Sequence, residues 1–484
     1  WLKPFRCTGS GAPGHFRDAG RAFGCAAPRS SHSMALFSKL CLALLVCGAV
    51  CSDGEAQGST HLRGQPSAEA PADPDEDAIR DLLRQLSTYR GWRPQGTWSP
   101  ADADCHLDDA RDRGCPLSAM TQNQVYDVYP GGATACLNES TPFYFRVRKG
   151  DPDKLLYNFQ GGGACWSKLT FTPPLTGCLH EPTPDDWSGI LNFTDPANPY
   201  RDYTMVVVLY CSGDMHAGST TQPWGRHGKD VQIRGFENAD AVLKWTSQQF
   251  PTLSSLVFGS CSAGSLGLQY WANRVIDEFS DRGPDVVAFA DSFAGILWPP
   301  RDQQASQDFL FETWGMCNNS ALDDAAQQRC HNGEFLLQDY FIETMRKHPT
   351  ANVNMINSKT DAVQILFGKG FMLTAMDSRE GFSMTPQQFY KELNVVLAQY
   401  IKEPNFRSYL VDGTQHCFTP YQLTYTTTPL GAEDSDGTPR LVDWMSAFPR
   451  FASVVPSSVC AGEEVALGTP PPNRTDYCHV ALST

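Results

Sequence analysis

Around residue 262 the chain reads LVFGSCSAGSLG (256–267), an apolar strand-like stretch that breaks into small residues and resumes as a helix. A serine hydroxyl at so sharp a strand-to-helix turn stands clear of a sheet and faces the free N–H groups of the following helix. That arrangement suits nucleophilic acyl transfer. Ser262, with Gly264 two residues after it and Ser260 two before, is the expected nucleophile, and the N–H of Ala263 an expected oxyanion donor. Ser260, Cys261 and Ser265 compete by composition, as does a Gly/Ser turn without chemistry. Cys261 is expected on the opposite side of the turn.

The other half of such a site is legible upstream. Leu155–Gln160 reads as a strand and runs into Gly161-Gly162-Gly163-Ala164-Cys165-Trp166. Consecutive glycines leave backbone N–H groups uncovered, so Gly162 and Gly163 are expected to complete an oxyanion hole with Ala263. A phosphate-gripping loop is the alternative, but the Lys-Ser/Thr ending it requires is missing. A serine attacks only when a base takes its proton, and that imidazole needs a carboxylate to hold its tautomer. In α/β-hydrolases the chain order is serine, acid, histidine. Of His331, His348, His416 and His479, His416 in DGTQHCF follows a late strand and is the expected base. Asp361, at the head of a helix after VNMINSKT, is the expected acid. Asp291 is its main competitor and a pocket candidate, with Asp377 and Asp412 behind it. Trp166, Tyr210, Trp224 and Phe293 are candidate pocket or sugar-facing aromatics.

Strands and helices alternate in an order that positions these groups. Phe143–Arg148 alternates like a strand, turns through Lys149-Gly150-Asp151-Pro152 and returns in Leu155–Phe159. Met205–Leu209 (MVVVL) is apolar throughout, as a parallel strand covered on both faces should be. Further strands are expected at Leu253–Phe258, Val286–Ala290, Val353–Ile356 and Phe406–Val411. Helices are expected at Asp75–Arg90, Asn238–Phe250, Leu266–Phe279 and from Pro386 to about Glu403. The last opens on Thr385-Pro386-Gln387-Gln388: a capping hydroxyl, Pro at the first position and Gln at the third. This alternation predicts an α/β-hydrolase-like three-layer sandwich with a mostly parallel central sheet, in a single catalytic domain over 75–484.

The motifs together resemble the pectin acetylesterase/Notum family of secreted serine carboxylesterases. The resemblance rests on GGATACLNESTPFYFRVRKG (131–150), FQGGGACW (159–166), VVVLYCSGDMHAG (206–218), IRGFENADAVLKW (233–245), FGSCSAGSLG (258–267), ADSFAGIL (290–297), NSKTDAVQI (357–365) and GTQHCF (413–418). It implies a triad of Ser262, Asp361 and His416, with oxyanion donors at Gly162, Gly163 and Ala263. It also implies ester cleavage without a cofactor or metal. In many members acetyl groups leave pectin-like polysaccharide; in the animal branch a fatty acyl group leaves a secreted signalling protein. Release of acetate from acetylated polysaccharide is the expected activity, with protein deacylation, or a catalytically inactive binding protein, as alternatives. Ser260 in place of the usual elbow glycine, and Gln160 in place of a frequent acidic residue, are departures from the family pattern.

The bulk properties agree with secretion. A formal net charge of −15 over 484 residues argues against nucleic acid or an anionic membrane as the main partner. Met34 opens MALFSKLCLALLVCGAVCS, in which Lys39 precedes the apolar run Leu40–Val50. Residues 34–51 read as a signal peptide, too short to span a bilayer, so no membrane anchor is expected. Residues 1–33 read as an upstream extension foreign to the protein, and 52–74 as a disordered lead-in. Twelve of the 17 cysteines follow Cys51, and N-x-S/T sequons stand at Asn138, Asn192, Asn318 and Asn473. Both point to a disulfide-bonded glycoprotein, extracellular or in a cell wall, and a monomer is expected. Cys105–Cys115, Cys165–Cys178 and Cys317–Cys330 are candidate bridges; Cys211 and Cys261 are candidate buried free thiols.

Overall fold

The computed structural model describes residues 74–88 and 100–448, apart from 111, 174–175, 185, 297–302, 376–383 and 428–439. The upstream extension, the signal peptide, all of the lead-in but residue 74, Asp377 and the sequon at Asn473 lie outside these residues. Every described residue belongs to one compact unit within 70–484.

The strands are β1 (Ala103–His106), β2 (Val125–Tyr129), β3 (Phe145–Arg148), β4 (Asp151–Phe159), β5 (Tyr203–Val208), β6 (Thr220–Gln222), β7 (Val231–Ile233), β8 (Ser255–Cys261), β9 (Asp285–Asp291), β10 (Asn352–Ser358) and β11 (Phe406–Val411). The helices are α1 (Pro74–Thr88), α2 (Lys168–Phe171), α3 (Gly235–Gln249), α4 (Ala263–Phe279), α5 (Gln303–Trp314), α6 (Asp324–His331), α7 (Leu337–Lys347), α8 (Ala362–Ala375), α9 (Pro386–Tyr400), α10 (Gln422–Thr427) and α11 (Leu441–Ser446). Nine strands form one sheet in the order β1-β2-β3-β5-β4-β8-β9-β10-β11, and β6 pairs with β7 apart from it. From β5 through β11 every neighbouring pair is parallel; only β3 runs against its neighbours. The carboxyl ends of β4, β8, β9, β10 and β11 therefore share one edge, where open α/β sheets place their ligands.

Strand periodicity divides the core. Leu155, Tyr157, Leu256 and Phe258 pack on one face with α3, α4 and α7, while Leu156, Val257, Phe289 and Tyr409 pack on the other with α11. The result is the expected three-layer sandwich. A third cluster joins α1 to α8 through Ile79, Leu83 and Leu86 against Val363 and Leu366. Burial of each of those α1 side chains contributes roughly 1.5–3 kcal/mol.

Two expectations change. The stretch after β3 does not return beside it, because β5 lies between β3 and β4. The backbone of β4 pairs with β5 on one side and β8 on the other, and local turn residues do not decide which strands flank it. The helix expected from Leu266 begins at Ala263, immediately after Ser262, since the small residues form the turn and the helix's first turn at once. The cap at Thr385 is as the sequence implies: Thr385 Oγ1 accepts from Gln388 N (3.2 Å) and Gln388 Oε1 from Thr385 N (2.8 Å).

Candidate active site

Ser262 has φ 56° and ψ −124°, a conformation L-residues adopt at a cost on the order of 1–3 kcal/mol. Two contacts hold it there. Its N–H donates to Asp291 O on β9 (2.9 Å), and Gly264 lies so close to β4 that a Cβ would stand 2.3 Å from Phe159 O. The rival serines are engaged elsewhere. Ser260 Oγ donates to Phe289 O (3.0 Å) and Ser265 Oγ to Asp291 O (2.6 Å), so both hydroxyls stitch the turn to β9.

Across the edge, His416 Nε2 lies 2.8 Å from Ser262 Oγ, and its Nδ1 lies 2.8 Å from Asp361 Oδ2. With Nδ1–H donating to the carboxylate, the Nε2 lone pair is left to accept the serine proton. Asp361 follows β10 and caps α8: its Oδ1 accepts from Val363 N and Gln364 N, both 3.0 Å. Gln364 Nε2 donates to Asp361 Oδ2 (2.9 Å) and to Asn357 Oδ1 (2.8 Å), fixing the carboxylate plane. Sequence reasoning missed Gln364, whose only signal was its place in the first turn of a helix headed by an acid.

Asp291 does different work. Its Oδ2 accepts from Phe418 N (2.7 Å), Thr419 N (2.7 Å) and Thr419 Oγ1 (2.8 Å), and its Oδ1 from Ser292 Oγ (2.8 Å). Ser292 Oγ in turn accepts from Cys417 N (2.8 Å). Asp291 thus braces the histidine loop, its carboxylate bonded to Ser292, Phe418 and Thr419; burial pushes its carboxyl up. Asp412 pairs with Lys359 (2.8 Å).

The expectation of free thiols at Cys211 and Cys261 is overturned. Cys136–Cys211 and Cys261–Cys417 are disulfides, beside Cys105–Cys115, Cys165–Cys178 and Cys317–Cys330. Cys261–Cys417 joins the residue before the serine to the residue after the histidine, a proximity only the assembled sheet edge creates. Two groups of metal-ligand type occur among the described residues, Cys165/Cys178/His180 and Cys105/Asp112/Cys115. Each contains a disulfide, which has no thiolate to offer a metal. No helix among the described residues is long and apolar enough to cross a membrane.

The glycine loop lies beside the serine. Gly162 O accepts from Leu179 N (2.9 Å) and Ala164 N donates to Gly177 O (2.8 Å); neither bond uses the N–H of Gly163, whose φ is 76°. Ala263 opens α4, so its N–H has no acceptor one turn back. Gly163 and Ala263 line a cavity with Ser262 and His416, whereas Gly162 faces Tyr210 and Leu179 behind the loop. Tyr210 is buried there, its Oη accepting from Met215 N (2.8 Å) and its N–H donating to Gln160 Oε1 (3.0 Å). His216 Nε2 donates to Gln160 O (2.8 Å) from underneath.

Burial pushes His216 down to about 4 and the neighbouring Asp214 carboxyl up to about 6. An unfolded histidine takes a proton near 6.5, so on acidification toward 4 the unfolded chain gains a proton that the fold refuses, and stability falls. Asp214 acts oppositely: between about 6 and 3.8 the folded form holds a proton that the unfolded one lacks. His216→Gln isolates the first effect. Between about pH 7 and pH 4 the native protein is expected to lose on the order of 3 kcal/mol more than this variant, read from denaturant melts.

The cavity measures about 80 Å³ and its wall is almost entirely apolar, built from Trp166, Phe293, Leu310, Trp314, Phe367 and Phe371. Trp166 and Phe293 thus line the cavity beside Ser262 and His416. Trp224 does not; it lines a separate groove with Phe171 and His180. Leu310 and Trp314, from α5, carried no sequence signal. Of the sequons, Asn318 is exposed, and Asn138 and Asn192 are half-buried, with Asn192 Nδ2 donating to Gln422 Oε1 (2.8 Å).

Residues 127–445 match the family model described as Pectinacetylesterase. No curated protein sequence matches the chain. Among solved structures, the Wnt deacylase Notum from Drosophila is similar at 15% identity and a TM-score of 0.44, over 61% of this chain and 86% of that one.

Proposed function

The chain belongs to the pectinacetylesterase family, and on that premise we propose that it is a serine carboxylesterase using Ser262, His416 and Asp361. The hydrogen-bonded series from Ser262 Oγ through His416 to Asp361 supports this reading above all. His416 Nε2 takes the hydroxyl proton as Ser262 Oγ attacks the ester carbonyl. Negative charge develops on the carbonyl oxygen beside the N–H groups of Gly163 and Ala263, with Gly162 behind them. The C–O bond to the alcohol breaks, His416 returns the proton to that oxygen, and water repeats the sequence on the acyl-enzyme. Asp361 keeps Nδ1 protonated and steadies the imidazolium. We further propose that residues 75–484 form the catalytic domain, made on a secretory route that installs the five disulfides found among the described residues and glycans at the sequons, Asn318 above all.

Acetate release from acetylated polysaccharide is the reading that follows most directly from family membership. The cavity favours a second one: removal of a longer acyl group, from a protein or another alcohol. Its 80 Å³ is several times the roughly 10–15 Å³ that one water, close to a methyl in size, needs by the same measure, and an apolar wall gains from each further methylene. A p-nitrophenyl ester series from acetyl to palmitoyl, run beside acetate release from acetylated pectin and xylan, decides between them. If the cavity holds the acyl chain, kcat/KM is expected to rise by about fourfold per methylene until the cavity is full. Preference for acetate throughout, with strong release from pectin, would instead establish the first.

A further inference from the structure

We propose that α1 is an external clasp that sets the length of acyl chain the cavity accepts. This rests on the reading of Ser262 as the nucleophile of an esterase. One wall of the cavity is α8, which presents Val363, Gln364, Phe367, Gly368 and Phe371 to it. Val363 and Phe367 also belong to, or pack against, the cluster formed with Ile79, Leu83 and Leu86 of α1. The same two side chains thus lie between the cavity and the cluster that joins α8 to α1. The facing wall is held as well: Trp166 lines the cavity, and Leu169 of α2, three residues on, packs against the α1 cluster. One helix therefore spans the two segments whose aromatic rings meet at the cavity, Trp166 to Phe371 at 5.7 Å and Trp166 to Phe367 at 6.2 Å.

The wall needs such support. The α8 sequence AVQILFGKGFMLTA is apolar on almost every side, so it must be covered on both faces. Its interior glycines, Gly368 and Gly370, lower its intrinsic helix stability and leave its position to its packing partners. By contrast α1 is amphipathic: Asp77, Asp81, Arg84 and Gln85 are exposed while Ile79, Leu83 and Leu86 are buried. Weakening that single stripe loosens α8 outward beyond its first turn and deepens the cavity at Phe367 and Phe371, while Val363 N and Gln364 N keep their bonds to Asp361 and Ser262 and His416 keep their places.

The test uses the full chain with Leu83→Ala and Leu86→Ala combined, and the exposed Gln85→Ala as control. Hydrolysis of p-nitrophenyl acetate is expected to stay within about threefold of the native rate, while the octanoate-to-acetate ratio of kcat/KM rises about tenfold. An unchanged ratio, or a parallel loss on both esters, overturns the clasp. Should the double variant melt below the assay temperature, Leu83→Val replaces it, and its ratio must shift in the same direction. A native protein no faster on either ester than Ser262→Ala refutes the esterase reading itself, which the unchanged ratio does not.

Discussion

Ser262→Ala is expected to lower kcat on any accepted ester by about 10⁶-fold, leaving KM and the melting temperature close to native. The reason is geometric. The Ser262 hydroxyl is the one that meets His416 Nε2, and nothing else at the turn can take its place. The neighbouring serines serve as internal controls. Ser260→Ala and Ser265→Ala each remove a buried hydrogen bond to β9, which costs about 1 kcal/mol of stability, yet they leave the attacking atom in place. Kinetics and melting curves on the three variants should therefore separate cleanly: one catalytically dead and stable, two active and weakened. Activity surviving in Ser262→Ala while vanishing in Ser265→Ala would transfer the nucleophile to another residue.

The second large effect concerns the acid. Asp361→Asn keeps the size of the side chain and an oxygen for the Val363 and Gln364 N–H groups, so the new amide turns its NH₂ toward His416. Nδ1 must then accept, the proton moves to Nε2, and the imidazole can no longer take the serine proton; kcat is expected to fall about 10⁴-fold. Asp291→Asn retains an oxygen for Phe418 and Thr419 and is expected to cost about tenfold, through a looser histidine loop rather than a lost tautomer. The two variants also differ in kind. The first should be equally slow at every temperature, whereas the second should worsen on warming as the loop it braces loosens. The reverse order of kcat would make Asp291 the acid.

Much of this site was legible along the chain. A strand breaking into SCSAGSLG, glycines after an earlier strand and His416 after a late one are local patterns, and each states a backbone requirement that neighbouring residues alone must meet. The chain order of serine, acid and histidine left several carboxylates open, and Asp361 was preferred among them for its place after a strand at the head of a helix. The same locality explains the errors. Turn residues after Arg148 announce a change of direction but not the partner strand, because the strands that flank β4 come from segments far away. Cys261 and Cys417 are 156 residues apart and look unrelated until β8 and β11 end on one edge.

What the amino-acid sequence determined by itself was which residue types stand at a strand-to-helix turn, after a glycine loop and behind a late strand, since residue type and local backbone demand are properties of short segments. What only the tertiary structure decided was the work of each bystander. Asp291 became a brace and Trp224 left the site. Gln364 entered it, and α5 and α8 supplied a cavity wall. Those roles arise from distances between segments remote in the chain, and such distances are set by how the whole sheet and its helical layers pack.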